Sequence, residues 1–153
     1  MVRQYNLELD AQRHPVLVEE KAYEYNYEEL NSPDKVVDFM NEIYKMNVKA
    51  EEYVYAIALN TKAKILGVFE ISHGAVNKSL ASPREIMQRL LLLGTVNYIV
   101  CHNHPSEDVI PSKDDDKVAE KLKIVGNQLC IPMIDFIIIG GNKYYSYKQE
   151  NSL

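Results

Sequence analysis

The chain has 153 residues, 46% of them hydrophobic and 25% charged, which is the size and make-up of one folded domain with room for a sizeable core. Its formal net charge is −5 and its Lys and Arg residues are scattered, so no phosphate-tracking patch is visible and sequence-independent nucleic-acid binding is not supported. No apolar run reaches the length of a bilayer span and MVRQYNLELD lacks a signal-peptide core, so the expectation is a cytoplasmic protein with no membrane role.

Taken in chain order, residues 1–31 alternate weakly and hold several of the 11 tyrosines, which predicts one or two strands packed on the main body as an N-terminal extension. Ser32-Pro33 opens a helix, with Val36, Val37, Met40, Ile43 and Tyr44 at helical spacing through about Met46. YVYAIALN (53–60) and ILGVFEIS (65–72) read as strands joined by a turn. Ser82-Pro83-Arg84-Glu85 reads as a capping box leading into a helix that Gly94 ends. VNYIVC (96–101) is a continuous apolar run, the pattern of a strand covered on both faces. Ser112 starts a further helix to about Gly126, and PMIDFIII and KYYSYK close the chain as strands joined at Gly140-Gly141-Asn142. Strands interleaved with helices predict an α/β or α+β domain around a mixed sheet. Cys101 and Cys130 have no CxxC spacing, and each, flanked by apolar residues, reads as a buried reduced thiol.

The chemistry concentrates in CHNHPSEDVIPSKDDD (101–116). Residues i and i+2 of a strand point the same way, so His102 and His104 project together where the buried strand ends and Pro105 stops the ladder. Two imidazoles held in parallel suit a divalent metal, zinc being the commonest choice. A carboxylate would complete the set, and Asp108, Asp114, Asp115 and Asp116 are candidates. Asp115, third in the helix capped by Ser112, faces back toward the loop, and Asp108 could also reach. Two histidines and one aspartate leave a coordination position for water, as catalytic zinc sites do. A general base is needed too, and Glu51, Glu52 and Glu70 all lie on or just before neighbouring strands. Each part also has a plain reading: Ser112-Lys113-Asp114-Asp115 is a capping box, and three aspartates suit a helix N-terminus through its dipole.

These residues resemble the JAMM motif of the JAB/MPN metalloprotease superfamily in its bacterial RadC-like form. His-x-His is followed after seven residues, the first being Pro105, by Ser-x-x-Asp. Ser82-Pro83-Arg84-Glu85 is similar to the family's helix start, Gly74 with Asn77 to its G-T-x-N turn, and Ile134 to Gly140 to its L-D-H-I-I-I-G segment. The resemblance covers roughly residues 32 to 148 and implies a RadC-like domain over 32–149. It implies the MPN/JAB fold, a curved mixed sheet flanked by helices, with a layout related to the cytidine deaminases. The deaminase signature H-x-E…P-C-x-x-C is absent.

By position, the resemblance makes His102, His104 and Asp115 the ligands of Zn2+, Ser112 an oxyanion donor and Glu52 the catalytic glutamate. It implies a zinc-dependent hydrolase of peptide or isopeptide-like amide bonds, with a peptide or protein as partner. Alternatives are a repair-associated protein acting on or near DNA, and a non-catalytic MPN interaction module. Two positions depart from the family pattern. Glu107 stands where glycine is usual, which asks a non-glycine residue to hold the loop. Phe136 stands where histidine is usual, which removes a polar group near the site. Residues 1–31 stand where RadC-like proteins often carry a helix-hairpin-helix DNA-binding region, and nothing in them resembles DNA readout. No oligomeric state follows from the sequence.

Overall fold

A computed structural model describes residues 1–26, 29–74 and 81–153. Asn77, part of the proposed G-T-x-N turn, lies outside the described residues. The elements are β1 (Val2–Leu9), β2 (Pro15–Tyr23), α1 (Pro33–Tyr44), a 3₁₀ turn (Met46–Val48), β3 (Glu52–Leu59), β4 (Ile65–Gly74), α2 (Pro83–Leu93), β5 (Asn97–Asn103), α3 (Lys113–Gln128), β6 (Met133–Gly140) and β7 (Lys143–Ser146).

The seven strands form one sheet in the order β2-β1-β4-β3-β5-β6-β7. It is mixed: β1 runs parallel to β4 and β5 parallel to β6, while the other neighbours are antiparallel. With three helices this mixed α+β architecture agrees with the fold that the resemblance implies. Val36, Phe39 and Met40 of α1 pack on one face against Tyr55, Ile57, Ile99 and Ile137. Ile86 and Leu90 of α2 and Ala119 and Leu122 of α3 pack on the other, against Val54, Val100, Phe136 and Ile138. Covered on both sides, β5 and β6 are buried almost throughout, which is why their sequences are continuous apolar runs.

Two hairpins use the same local device. The Asp10 side chain accepts the Gln12 and His14 N–H groups, both at 2.9 Å, and the Asn60 side chain accepts those of Lys62 and Lys64 at 2.8 and 3.1 Å. A short acceptor side chain thus closes each turn before Arg13 or Ala63 crosses into positive φ (66° and 56°). The N-terminal hairpin is continuous with the sheet: Gln4 pairs with Val68, and Val2 is buried in the α1-side core.

Several expectations need correction. Ser82 precedes α2 as expected but its side chain makes no capping hydrogen bond. Pro83 supplies the helical φ at the first position instead, and Glu85 reaches Arg89 at 3.5 Å. α3 ends at Gln128, two residues past the expected end, so Gly126 lies within the helix, where a Cβ would come 2.6 Å from the Ile131 carbonyl oxygen; it serves a close approach. The left-handed residue after the helix is Cys130, φ 58°, and this exit leaves its thiol exposed rather than buried. Cys101 is buried on the α1 side of β5, and burial pushes its thiol well above the ordinary range.

Candidate metal centre

β5 runs two residues past the expected end and carries His102 within its ladder, where it pairs with Val54 of β3 and Ile138 of β6. His104 lies just beyond, held by its N–H to the Ile139 carbonyl at 2.8 Å. The two rings therefore leave the same face, 5.0 Å apart between centroids, but edge to face at 85° and not parallel as expected. The rotation has a cause. His104 Nδ1 meets the Asp108 carbonyl at 2.6 Å, and His102 Nδ1 meets the Tyr53 carbonyl at 3.0 Å. Carbonyl oxygens only accept, so both Nδ1 atoms carry the proton and each neutral ring turns a bare Nε2 outward.

Both Nε2 atoms face one carboxylate. Asp115 Oδ1 lies 3.6 Å from His102 Nε2, and Asp115 Oδ2 lies 3.1 Å from His104 Nε2. Asp115 is 1% exposed and is aimed by a reciprocal cap: Ser112 Oγ accepts the Asp115 N–H at 3.0 Å, and Asp115 Oδ2 accepts the Ser112 N–H at 2.8 Å. The other acidic candidates go elsewhere. Asp108 offers its backbone carbonyl to His104 while its side chain accepts the Ile110 N–H, Asp114 is exposed, and Asp116 accepts the Tyr147 hydroxyl at 2.7 Å.

Glu52, first residue of β3, places Oε2 3.9 Å from His102 Nε2. Glu52, His102 and His104 each offer a donor atom, all within 4.8 Å of one another, so a divalent cation could be held among them with Asp115 beside it. Glu51 is exposed and contributes its backbone carbonyl to Asn103. Glu70 pairs with Tyr55 on the opposite face of the sheet, where its carboxylate accepts the Tyr55 hydroxyl at 3.3 Å and approaches His73 at 3.6 Å.

The electrostatics follow from this packing. Burial lowers the His102 pKa and so keeps the ring neutral, against the Tyr53 hydrogen bond and the Asp115 charge. A proton on His104 Nε2 would bond to Asp115, and that bond raises the His104 pKa. Burial alone would raise Asp115, but the hydrogen bonds from His104 and Ser112 hold it below the ordinary carboxylate value. Burial raises Glu52, partly offset by His104, which makes it a stronger base than a surface glutamate. With both Nε2 atoms unprotonated, the two imidazole nitrogens and the ionised carboxylate turned toward one another repel unless a cation lies between them; a proton on His104 Nε2 takes that place otherwise. The donor set of N, N and O suits zinc.

Both departures from the family pattern are visible. Glu107 has φ 67°, the left-handed conformation that glycine adopts without strain, and its N–H bonds the His104 carbonyl at 3.0 Å. Phe136 is fully buried one residue pair along β6 from the His102 partner Ile138, edge to face with Tyr147. One residue escaped the sequence reading. Asn103, between the two histidines, is 1% exposed and bonds the backbone on both sides of Glu52, a contact across fifty positions that no local pattern signals.

Comparison with known proteins gives the family. Residues 30–152 match the RadC-like JAB domain. A UPF0758 protein of Streptococcus gordonii is 35% identical over 87% of this chain and 58% of its own length. UPF0758 proteins of Clostridium tetani and Clostridium beijerinckii are each 37% identical, over 84% and 69% of this chain and 55% and 46% of their own lengths. The chain thus spans about half the length of the curated relatives it matches. Matched across all three helices and five of the seven strands, β3 to β7, the chain belongs to the RadC-like JAB/MPN family.

Proposed function

We propose that this chain is a zinc-dependent hydrolase of peptide or isopeptide-like amide bonds. His102, His104 and Asp115 would hold the ion and Glu52 would act as the base. The observation that carries this reading is the pair of Nδ1-anchored histidines whose free Nε2 atoms converge on buried Asp115, with the Glu52 carboxylate beside them. When bound, zinc supplies Lewis-acid polarisation of the scissile carbonyl and lowers the pKa of a coordinated water to about 7. The chain's residues do the rest. Glu52, its basicity raised by burial, takes a proton from the attacking water and passes it to the amine nitrogen as the C–N bond breaks. Ser112 Oγ already accepts the Asp115 N–H, and among the described residues no acceptor takes its O–H, so that proton is available to the carbonyl oxygen as charge develops. Asp115 and the two anchored rings keep these groups in register.

The test is hydrolysis of a library of fluorogenic peptide and lysine isopeptide amides by the zinc-loaded chain. Glu52→Gln should retain zinc and lose at least about 100-fold in turnover, the scale of a lost general base. Full turnover in Glu52→Gln contradicts the assignment. Loss of zinc in Glu52→Gln would make Glu52 a ligand instead of the base.

A further inference from the structure

We propose that Asn103 is the positioning residue for Glu52, an inference that rests on the functional reading of Glu52 given above. The hydrogen-bonded register between β3 and β5 ends at the pair Val54 and His102, so residues 51–53 lie beyond it. The Asn103 side chain continues the ladder in its place. Its Oδ1 accepts the Tyr53 N–H at 2.6 Å, and its Nδ2 donates to the Glu51 carbonyl at 2.9 Å. These are the N–H one residue after Glu52 and the C=O one residue before it, so one amide brackets the glutamate. On its other side β3 is held by β4, where Glu52 pairs with Gly74 and Tyr53 with His73. Glu52 is therefore fixed between a strand and a side chain, 3.9 Å from His102 Nε2.

The chemistry selects asparagine. Aspartate could accept the Tyr53 N–H but would set a second oxygen against the Glu51 carbonyl. Serine is too short to reach both groups, and glutamine is longer by one methylene. The arrangement also ties the site together. The Tyr53 residue whose N–H Asn103 accepts is the one whose carbonyl fixes the His102 tautomer. Asn103 thus holds the base on the strand that orients the first histidine, while the histidines flank it in sequence.

The experiment uses the full chain, with Zn2+ alone as the probe, titrated against a chromophoric chelator in four proteins: wild type, Asn103→Ala, Glu52→Gln and the double variant. Hydrogen exchange at the Tyr53 amide is read in parallel. Glu52 is not a ligand in this reading, but its charge beside His102 favours a cation. Asn103→Ala should therefore weaken zinc binding about 10-fold in the wild-type background without abolishing it, as Glu52→Gln itself should, the lower end for an outer-shell partner. It should change binding by less than about 2-fold once position 52 is glutamine, and Tyr53 exchange should accelerate. Equal weakening in both backgrounds means a merely structural role and overturns the proposal, as does unchanged zinc affinity with unchanged Tyr53 exchange. If Asn103→Ala does not fold, Asn103→Gln is read by the same criteria. Zinc coupling without hydrolysis of any amide would leave Asn103 as the positioning residue and remove the hydrolytic reading. Hydrolysis with kcat and KM unaffected by Asn103→Ala would do the reverse.

Discussion

In the proposed function Ser112 would act through two atoms: its oxygen accepts the Asp115 N–H, and its proton, which no acceptor takes among the described residues, would go to a substrate oxygen. Removing the hydroxyl should therefore register twice. Ser112→Ala should cost about 1 kcal/mol of stability as a lost N-cap, and about 100-fold in turnover as a lost oxyanion donor. Zinc binding should persist, because Asp115 keeps its hydrogen bond from the backbone N–H of residue 112. A thermal melt, a zinc titration and a rate measurement on one variant separate these effects; unchanged turnover would confine Ser112 to the cap. In the proposed site His104 would set the pH dependence of metal uptake. The Asp115 hydrogen bond raises its pKa above the ordinary imidazole value, so the protonated form persists to higher pH than usual. Zinc must displace that proton, so affinity is full above the raised pKa and falls as pH drops through it. Zinc titrations across pH should show the fall beginning above about 6.5, the unperturbed value for histidine. The motif residues were legible in sequence because their spacing is local: strand alternation pairs the histidines, and a capping box aims the aspartate. The choice among Asp108, Asp114, Asp115 and Asp116 came from the resemblance, and the structure separates them by what each carboxylate bonds.

At the scale of elements, β6 and β7 show how a buried charge is accommodated. Asp135 is 3% exposed, and its carboxylate accepts the Phe136 N–H at 2.8 Å, the Lys148 N–H at 3.0 Å and the Ser146 hydroxyl at 2.5 Å. It ties the start of β6 to the end of β7. Asp135→Ala leaves three donors without this acceptor and should cost about 3 kcal/mol, since each unsatisfied buried group costs about 1–3 kcal/mol. Asp135→Asn, which keeps an acceptor for the backbone donors, should cost less; equal unfolding midpoints for wild type and Asp135→Ala would refute the clamp. Element identities were legible because β3, β5 and β6 are apolar runs of strand length and the helices have amphipathic spacing. Some element ends were legible too, Ser32, Gly94 and Ser112 capping their helices as read, but others were not. Ser82 has a capping residue's identity without its hydrogen bond, and Gly126 looks like a terminator while serving a contact with Ile131. In both cases tertiary packing decides what the local pattern leaves open.

Across the whole molecule, sheet order is what assembles the site. The central position of β3, between β4 and β5, places Glu52 beside histidines that lie fifty or more residues later in the chain. That order was not legible, because strand pairing depends on long-range contacts, and the parallel pairing of β1 with β4 leaves no local signature. Among the described residues no helix is long and apolar enough to cross a membrane. Residues distant in sequence converge on one place that suits a cation, and zinc content after dialysis against trace zinc is the decisive readout. Elemental analysis should find one zinc per chain in the wild type and in Glu52→Gln, and none in the His102→Ala, His104→Ala double variant with its fold intact. A folded wild type that takes up no zinc, or a double variant that takes up as much as the wild type, would rule out a metal centre at His102 and His104.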